Sequence, residues 1–385
     1  MLQISKDIIQ KITEEFYWLH RHPELSYQEV GTTARLRAAL ARAGVRVLEV
    51  PLKTGLVAEI GTGEAPVVGL RADIDALPVT EQTGLAYASE KPGVMHACGH
   101  DFHMTSVLGA ALYLKQHEKE LQGTVRIVFQ PAEEAPGGAR DVLATHALDD
   151  VQALFGLHTS PLFPVGTVGV SAGAVTASVD KFVLRFTGKG THAAHPERGV
   201  DPIVMASSFV LAVQSIISRN IDPAHRDLVS ITRFTSGNTW NVIPAVAELE
   251  GTVRCLDNAD RALIEKRLRE LAAGQAASFG GSVEVAWTAG PPATDNTPVW
   301  CDCARQVAES QGLTVEPAPV SLAGEDFAYY QTTLPGCFVL VGTGKSPANH
   351  NPAFQVDPAA LGPTAAYLAA LAMQALVQLR TSAEA

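Results

Sequence analysis

The nine residues Met95-His96-Ala97-Cys98-Gly99-His100-Asp101-Phe102-His103 hold three histidines, a cysteine and an aspartate. Thiolate and imidazole are the usual protein ligands for zinc-like cations, and an aspartate can join them or orient an imidazole. A structural zinc site fits poorly, because such sites usually pair C-x-x-C knuckles and this stretch has a single cysteine. The other bland reading is a buried thiol with unrelated histidines nearby. The choice turns on where further ligands fall.

They fall where short apolar runs end. Val67–Ala72 is nearly continuous in apolar character, as expected of a strand buried on both faces, and it runs into Asp73 and Asp75. Two acids there are costly unless they orient something. Thr124–Phe129 feeds Glu133 and Glu134 through a loop of Pro, Ala and Gly. Val151–Leu157 is followed by His158, and Cys337–Val341 leads on to His350. Helical spacing marks Ser5–Leu19, Tyr27–Ala43 and Met104–Lys115, with a last helix over about Pro363–Leu379 and a frayed end beyond it. Strands alternating with helices predict an α/β domain with a mostly parallel sheet, whose sites lie beyond the carboxyl ends of the strands. Side chains far apart in sequence can therefore converge on Cys98 and His100.

Between about Ser178 and Thr288 the pattern changes to alternating, half-exposed strands. The order strand-helix-strand-strand-helix-strand (Lys181–Thr187, Ile203–Ser218, Leu228–Phe234, Ala247–Arg254, Asp260–Ser278, Ser282–Trp287) predicts a ferredoxin-like α+β insert. The expected division is a catalytic metal-binding domain over 1–177 and 289–385, with an inserted lid and dimerisation domain over 178–288. Inserts of this kind can pair with a second copy.

Cys98, His100, Glu134, His158 and His350, taken as ligands, are one side chain more than a closed tetrahedral site uses. Two divalent cations would use them all, lower the pKa of water and stabilise an oxyanion. Glu133 then stands as the general base and as the donor of a proton to the leaving amine. Asp75 and Asp101 suit orienting roles. His192, in a Gly-rich loop of the insert, could reach an oxyanion when domains close. Asn241 is a polar residue in a turn.

The 385 residues, 46% hydrophobic and 18% charged, suffice for two domains with sizeable cores. A formal net charge of −11 argues against nucleic acid or an anionic membrane as the main partner. No uninterrupted apolar run of about 18 residues stands out, so no membrane span is expected. Five scattered cysteines point to a reduced, cytoplasmic protein. Cys301-Asp302-Cys303 is too tight for a zinc knuckle and reads as structural.

Ten motifs now stand in order: HRHPELS (His20–Ser26), LRADIDALP (Leu70–Pro78), MHACGHDFH (Met95–His103), FQPAEE (Phe129–Glu134), GLH (Gly156–His158), GTHAAHP (Gly190–Pro196), NVIP (Asn241–Pro244), GTVR (Gly251–Arg254), GEDFAYY (Gly324–Tyr330) and NHNPAF (Asn349–Phe354). In this the chain resembles the dinuclear metal amidohydrolases that include hippurate hydrolases, indoleacetyl-amino-acid hydrolases and N-acyl-amino-acid deacylases, a branch of the aminoacylase and carboxypeptidase G2-like metallopeptidases. The resemblance implies a zinc-peptidase type fold and the five-ligand set above. It implies Glu133 as base and Asp75 as its companion. It also implies that His192 comes from the partner subunit's lid to hold the scissile carbonyl, with Asn241 on the substrate side. Two metal ions, manganese or zinc first and nickel or cobalt as further options, would act on a small N-acyl amino acid in a homodimer. His195 before Pro196, with Arg198 following, departs from the pattern, so specificity is not carried over. A di- or aminopeptide hydrolase, an N-acetyldiaminopimelate-type deacetylase and a non-catalytic binder of the same fold remain as alternatives.

Overall fold

The computed structural model describes residues 1–135 and 137–384. Pro136, inside the loop after Glu134, and Ala385, at the expected frayed end, lie outside the described residues. The last helix spans Leu361–Glu384, so it continues past the end expected at Leu379.

The chain divides into two compact units, one of residues 1–173, 295–319 and 326–385, the other of residues 174–294 and 320–325. The larger unit is built on an eight-stranded sheet. Its strands are β1 (Arg46–Leu48), β2 (Leu56–Gly61), β3 (Val67–Asp73), β4 (Thr124–Gln130), β5 (Ala153–Ser160), β6 (Thr167–Gly169), β7 (Thr314–Glu316) and β8 (Gly336–Gly342). Their order across the sheet is β1-β2-β4-β3-β5-β8-β6-β7. The middle of the sheet, β4-β3-β5-β8, is parallel, while β1 with β2, β2 with β4 and β8 with β6 run antiparallel.

Both faces of this sheet are covered. Val68, Leu70, Ile127, Phe129, Phe155 and Val339 belong to one core, with helices Lys6–Arg21, His100–Gln116 and Leu361–Glu384. Val67, Val128, Leu154 and Phe338 belong to a second core on the other side. Each fully buried Phe or Leu here contributes about 1.5–3 kcal/mol relative to exposure. Full burial explains why β3 and β4 are apolar without alternation.

The smaller unit has a four-stranded antiparallel sheet of Leu228–Ser236, Val246–Cys255, Ser178–Thr187 and Ser282–Ala289, in that order. With the first strand in chain order lying between the third and the fourth, this is the ferredoxin-like arrangement. The helix expected over Ile203–Ser218 is two helices, Pro202–Ala212 and Gln214–Asn220. The Ser215 hydroxyl donates to the Ala212 carbonyl at 2.7 Å, at the break. Such back-bonding competes with the helical ladder and bends it.

Two helical stretches, Pro202–Asn220 and Pro358–Ser382, are long and apolar enough to cross a membrane by length and composition alone. The second is two-thirds buried inside its own unit, where Leu368, Leu371, Ala372 and Leu376 pack in the core, so its apolarity serves packing.

Candidate active site

The cluster forms where the parallel strands end. Gly99 adopts φ +88° and immediately precedes helix His100–Gln116; a Cβ there would meet the Thr159 methyl at 2.6 Å. Only glycine makes this turn cheaply, and the turn sets Cys98 just before the helix and His100 on its first turn. His158, expected just beyond its strand, lies inside β5 and pairs across to Leu340. Its position within the strand is half-buried, facing the cluster rather than the core. His350 follows β8 in a loop with φ +68°, its N–H bonded to the Ala97 carbonyl at 2.8 Å. Asn349 donates to the Cys98 carbonyl and the Thr159 hydroxyl, pinning the same loop. Ala132, at φ +50°, donates its N–H to the buried Glu29 carboxylate at 2.9 Å, and this fixes the turn into Glu133.

Ligand-type atoms gather into overlapping groups, each within 4.8 Å: Cys98, His100 and His158; Cys98, Glu134 and His350; His100, Glu133 and Glu134. Cys98 and Glu134 each belong to more than one group. Cys98 Sγ lies 3.3 Å from His158 Nε2, and Glu134 Oε1 lies 3.1 Å from His350 Nε2 and 3.9 Å from His100 Nε2. His158 Nδ1 faces the Thr159 carbonyl at 2.9 Å, which can only accept. The hydrogen therefore sits on Nδ1, and the Nε2 lone pair points at the cluster. Both ring nitrogens of His100 and Glu134 Oε1 are buried without an aligned hydrogen bond. Burial first, and then the charges of Glu134 and Glu133, hold the Cys98 thiol well above its usual range, against the pull of His100. Burial opposes the charge on His100, but Asp73 and Asp75 raise it well above the ordinary imidazole range. Burial likewise opposes ionisation of Glu134, while His350 and His100 lower it below the ordinary carboxylate value.

Asp75 is buried and makes a bridge. Its carboxylate accepts from the Glu133 and Glu134 N–H groups at 3.1 and 3.0 Å and from Ser26 at 2.6 Å. It also lies 3.3 Å from His100 Nδ1, close enough for an ion pair though not aligned for a hydrogen bond. Asp101 does not orient a cluster histidine; it binds His20 Nδ1 at 2.6 Å, on the far side of its helix turn. The role expected of Asp101 falls to Asp73, which accepts from His103 Nδ1 at 2.6 Å and approaches His100 Nδ1 at 3.7 Å. His103 has no free nitrogen, since its Nε2 accepts the Thr159 N–H.

His192 and Asn241 belong to the smaller unit. They share a short ribbon in which His192 pairs with Val242 and Ala193 N–H donates to the Asn241 carbonyl at 3.0 Å. His192 is exposed, as are His195 and Arg198 nearby.

Several groups in the larger unit escaped the sequence reading. Arg71 is fully buried and binds Gln130, Asp73 and Asp326. A cation inside an otherwise apolar strand was the available signal, because it demands buried anions nearby. Nothing local marked Asp326 as its partner, or Glu29 as the acceptor of the Ala132 N–H.

A doubly covered sheet with a parallel centre and thiol, imidazole and carboxylate side chains near its strand ends is the framework of a hydrolase of the metallopeptidase class. Residues 69–374 match the model of the Peptidase family M20/M25/M40, and the chain belongs to this family of hydrolytic enzymes. It is 46% identical over 364 residues to the N-acetylcysteine deacetylase of Bacillus subtilis, covering 94% of this chain and 96% of that one. It is 38% identical to an IAA-amino acid hydrolase of Arabidopsis thaliana, covering 97% of this chain and 89% of the relative. Among solved structures, the Bacillus subtilis YXEP protein, described as a dinuclear metal binding peptidase, superposes with a TM-score of 0.89 at 42% identity, covering 97% of this chain and 99% of that one.

Proposed function

We propose that this enzyme cleaves the amide bond of N-acyl amino acids, with two divalent metal ions held by Cys98, His100, Glu134, His158 and His350. The observation that carries the reading is the sharing of donors, with Cys98 and Glu134 each common to more than one ligand group within 4.8 Å. The ring nitrogens of His100 and Oε1 of Glu134, buried without an aligned hydrogen bond, fit the demand of cations for lone pairs. A thiol next to imidazoles suits zinc, and the carboxylates also suit manganese, with nickel or cobalt as substitutes. When bound, such ions polarise a carbonyl and make water acidic near neutral pH.

The protein's own groups do the rest. Glu133 takes the proton of the attacking water and returns it to the departing nitrogen. Its backbone is held by Asp75, so the base and the neighbouring ligand Glu134 move as one piece. Asp75 and Asp73 set the orientation of His100 and His103. The unit of residues 174–294 is read as the lid and dimerisation domain. His192, on the ribbon that also carries Asn241, would hold the scissile carbonyl from a partner subunit, with Asn241 against the substrate.

Support for pairing through that unit comes from its surface. Ile203, Val204 and Leu211 on helix Pro202–Ala212 and Phe234 on the edge strand are exposed. Unpaired sheet edges and apolar patches mark association sites. A Leu211→Asp variant is expected to shift the mass in solution toward the monomer, as read by light scattering.

The central test is metal analysis with turnover of N-acetyl and N-benzoyl amino acids. Glu133→Gln is expected to keep both ions and lose activity by about 10²–10⁴-fold. Turnover within a few fold of the parent would remove Glu133 from the reaction. A chain that takes up no metal would remove the site itself.

A further inference from the structure

We propose that Arg71 is a positioning residue that joins the two halves of the active site, the imidazoles on one side and the base on the other. This rests on the reading of Glu133 as base. Arg71 stands on β3 and is wholly buried, a position that a guanidinium occupies only when its donors are satisfied. Its Nη1 donates to Asp73 Oδ2 at 2.7 Å, its Nη2 to Asp326 Oδ1 at 2.8 Å and its Nε to Gln130 Oε1 at 2.8 Å.

The two anions lead in different directions. Asp73 accepts from His103 with its other oxygen and lies beside His100. Asp326 accepts from Gln130 Nε2 and from Ala139 N–H, and its own N–H reaches Glu133 Oε1 at 3.4 Å. Tyr330 closes the network by donating to Gln130 Oε1 at 3.0 Å. One rigid, planar cation thus fixes the end of β3 that lies beside the imidazoles and the segment touching the base carboxylate, with Arg71 and Asp326 255 residues apart in sequence. A lysine offers one flexible point charge and cannot reproduce the three directions.

The test uses the full-length, metal-loaded protein with Arg71→Ala and Arg71→Lys, each assayed with and without methylguanidinium. Two readouts are taken, kcat and KM on an N-acetyl amino acid, and the visible spectrum of the cobalt-substituted protein. For Arg71→Ala, kcat is expected to fall about 100-fold with KM little changed, since small misplacements of reacting groups cost about that much. The cobalt spectrum should change with it. Methylguanidinium, filling the space left by the side chain, should restore part of kcat and the parent spectrum, and Arg71→Lys should not. Asp326→Asn, which keeps the size of the side chain, should lower kcat in the same sense if Arg71→Ala fails to fold.

Parent-like kcat in Arg71→Ala or Asp326→Asn would overturn the proposal. So would a loss that follows the melting temperature and ignores methylguanidinium. If the parent chain itself turns over no amide, the functional reading fails, and the cobalt spectra still decide the role of Arg71.

Discussion

In the larger unit, β3 and β4 are buried at every position, whereas in the smaller unit the strand Val246–Cys255 alternates along its whole length between buried and half-buried residues. Both sheets carry charge, and they carry it differently. Arg71, Asp73 and Gln130 lie inside the first sheet and bind one another and Asp326. In the second, Lys181 and Arg233 meet Glu250, and Arg185 meets Glu248, across the solvated face. At the centre of a sheet covered on both sides an ion needs buried partners, so Arg71 and Asp73 are held in one arrangement. A sheet with one wet face spends little on its ions, and that face stays available for other tasks.

Substitutions in the two sheets should therefore differ in cost. Asp73→Ala removes one arm of a buried pair and is expected to destabilise by about 3–5 kcal/mol, read by denaturant unfolding. A loss below about 1 kcal/mol would put the two sheets on the same footing and break the contrast.

A second contrast is in pH. Burial opposes charge on His20, but the hydrogen bond and charge of Asp101, with Glu81 behind it, raise its pKa from 6.5 to about 9. The folded value is above the unfolded one, so the stabilisation is complete below pH 6.5 and is lost as pH rises toward about 9. The stability difference between the parent and His20→Gln should shrink across that window, by an amount on the order of 3 kcal/mol. A difference independent of pH would mean that His20 stays neutral in the fold.

At the small end, Glu250→Gln on the open sheet removes partners for Lys181 and Arg233 and should cost about 0.2–1 kcal/mol, less at high salt. A cost as large as that of Asp73→Ala would show that exposure does not set the price of these ions.

The family and the donor types were legible in the chain because chemistry follows residue identity. Cys98 and His100 announce themselves by kind and close spacing, and Glu133, Glu134 and His350 by their place after apolar runs, whatever the side-chain geometry. The parallel centre of the sheet was legible for a similar reason, since strands buried on both faces carry no polar alternation. Boundaries were less so. His158 falls within β5 rather than after it, because strand pairing to β8 extends through that residue. The break at Val213 depends on a serine hydroxyl that reaches back for a carbonyl.

What the tertiary structure alone decided is which acid serves which base. By sequence Asp101 adjoins His100, yet it binds His20 from another helix, and Asp73 takes the place beside His103 and His100. Neighbours along a helix point in different directions, so adjacency in the chain says little about contact. The partners of Arg71 are set the same way. Gln130 is brought across from β4, and Asp326 arrives from a segment far along the chain, by strand register and loop packing that no local pattern encodes. The sequence by itself determined the reagents, since those are properties of single residues. Their pairing is a property of the fold, because a buried ion selects its partners by distance and direction in three dimensions.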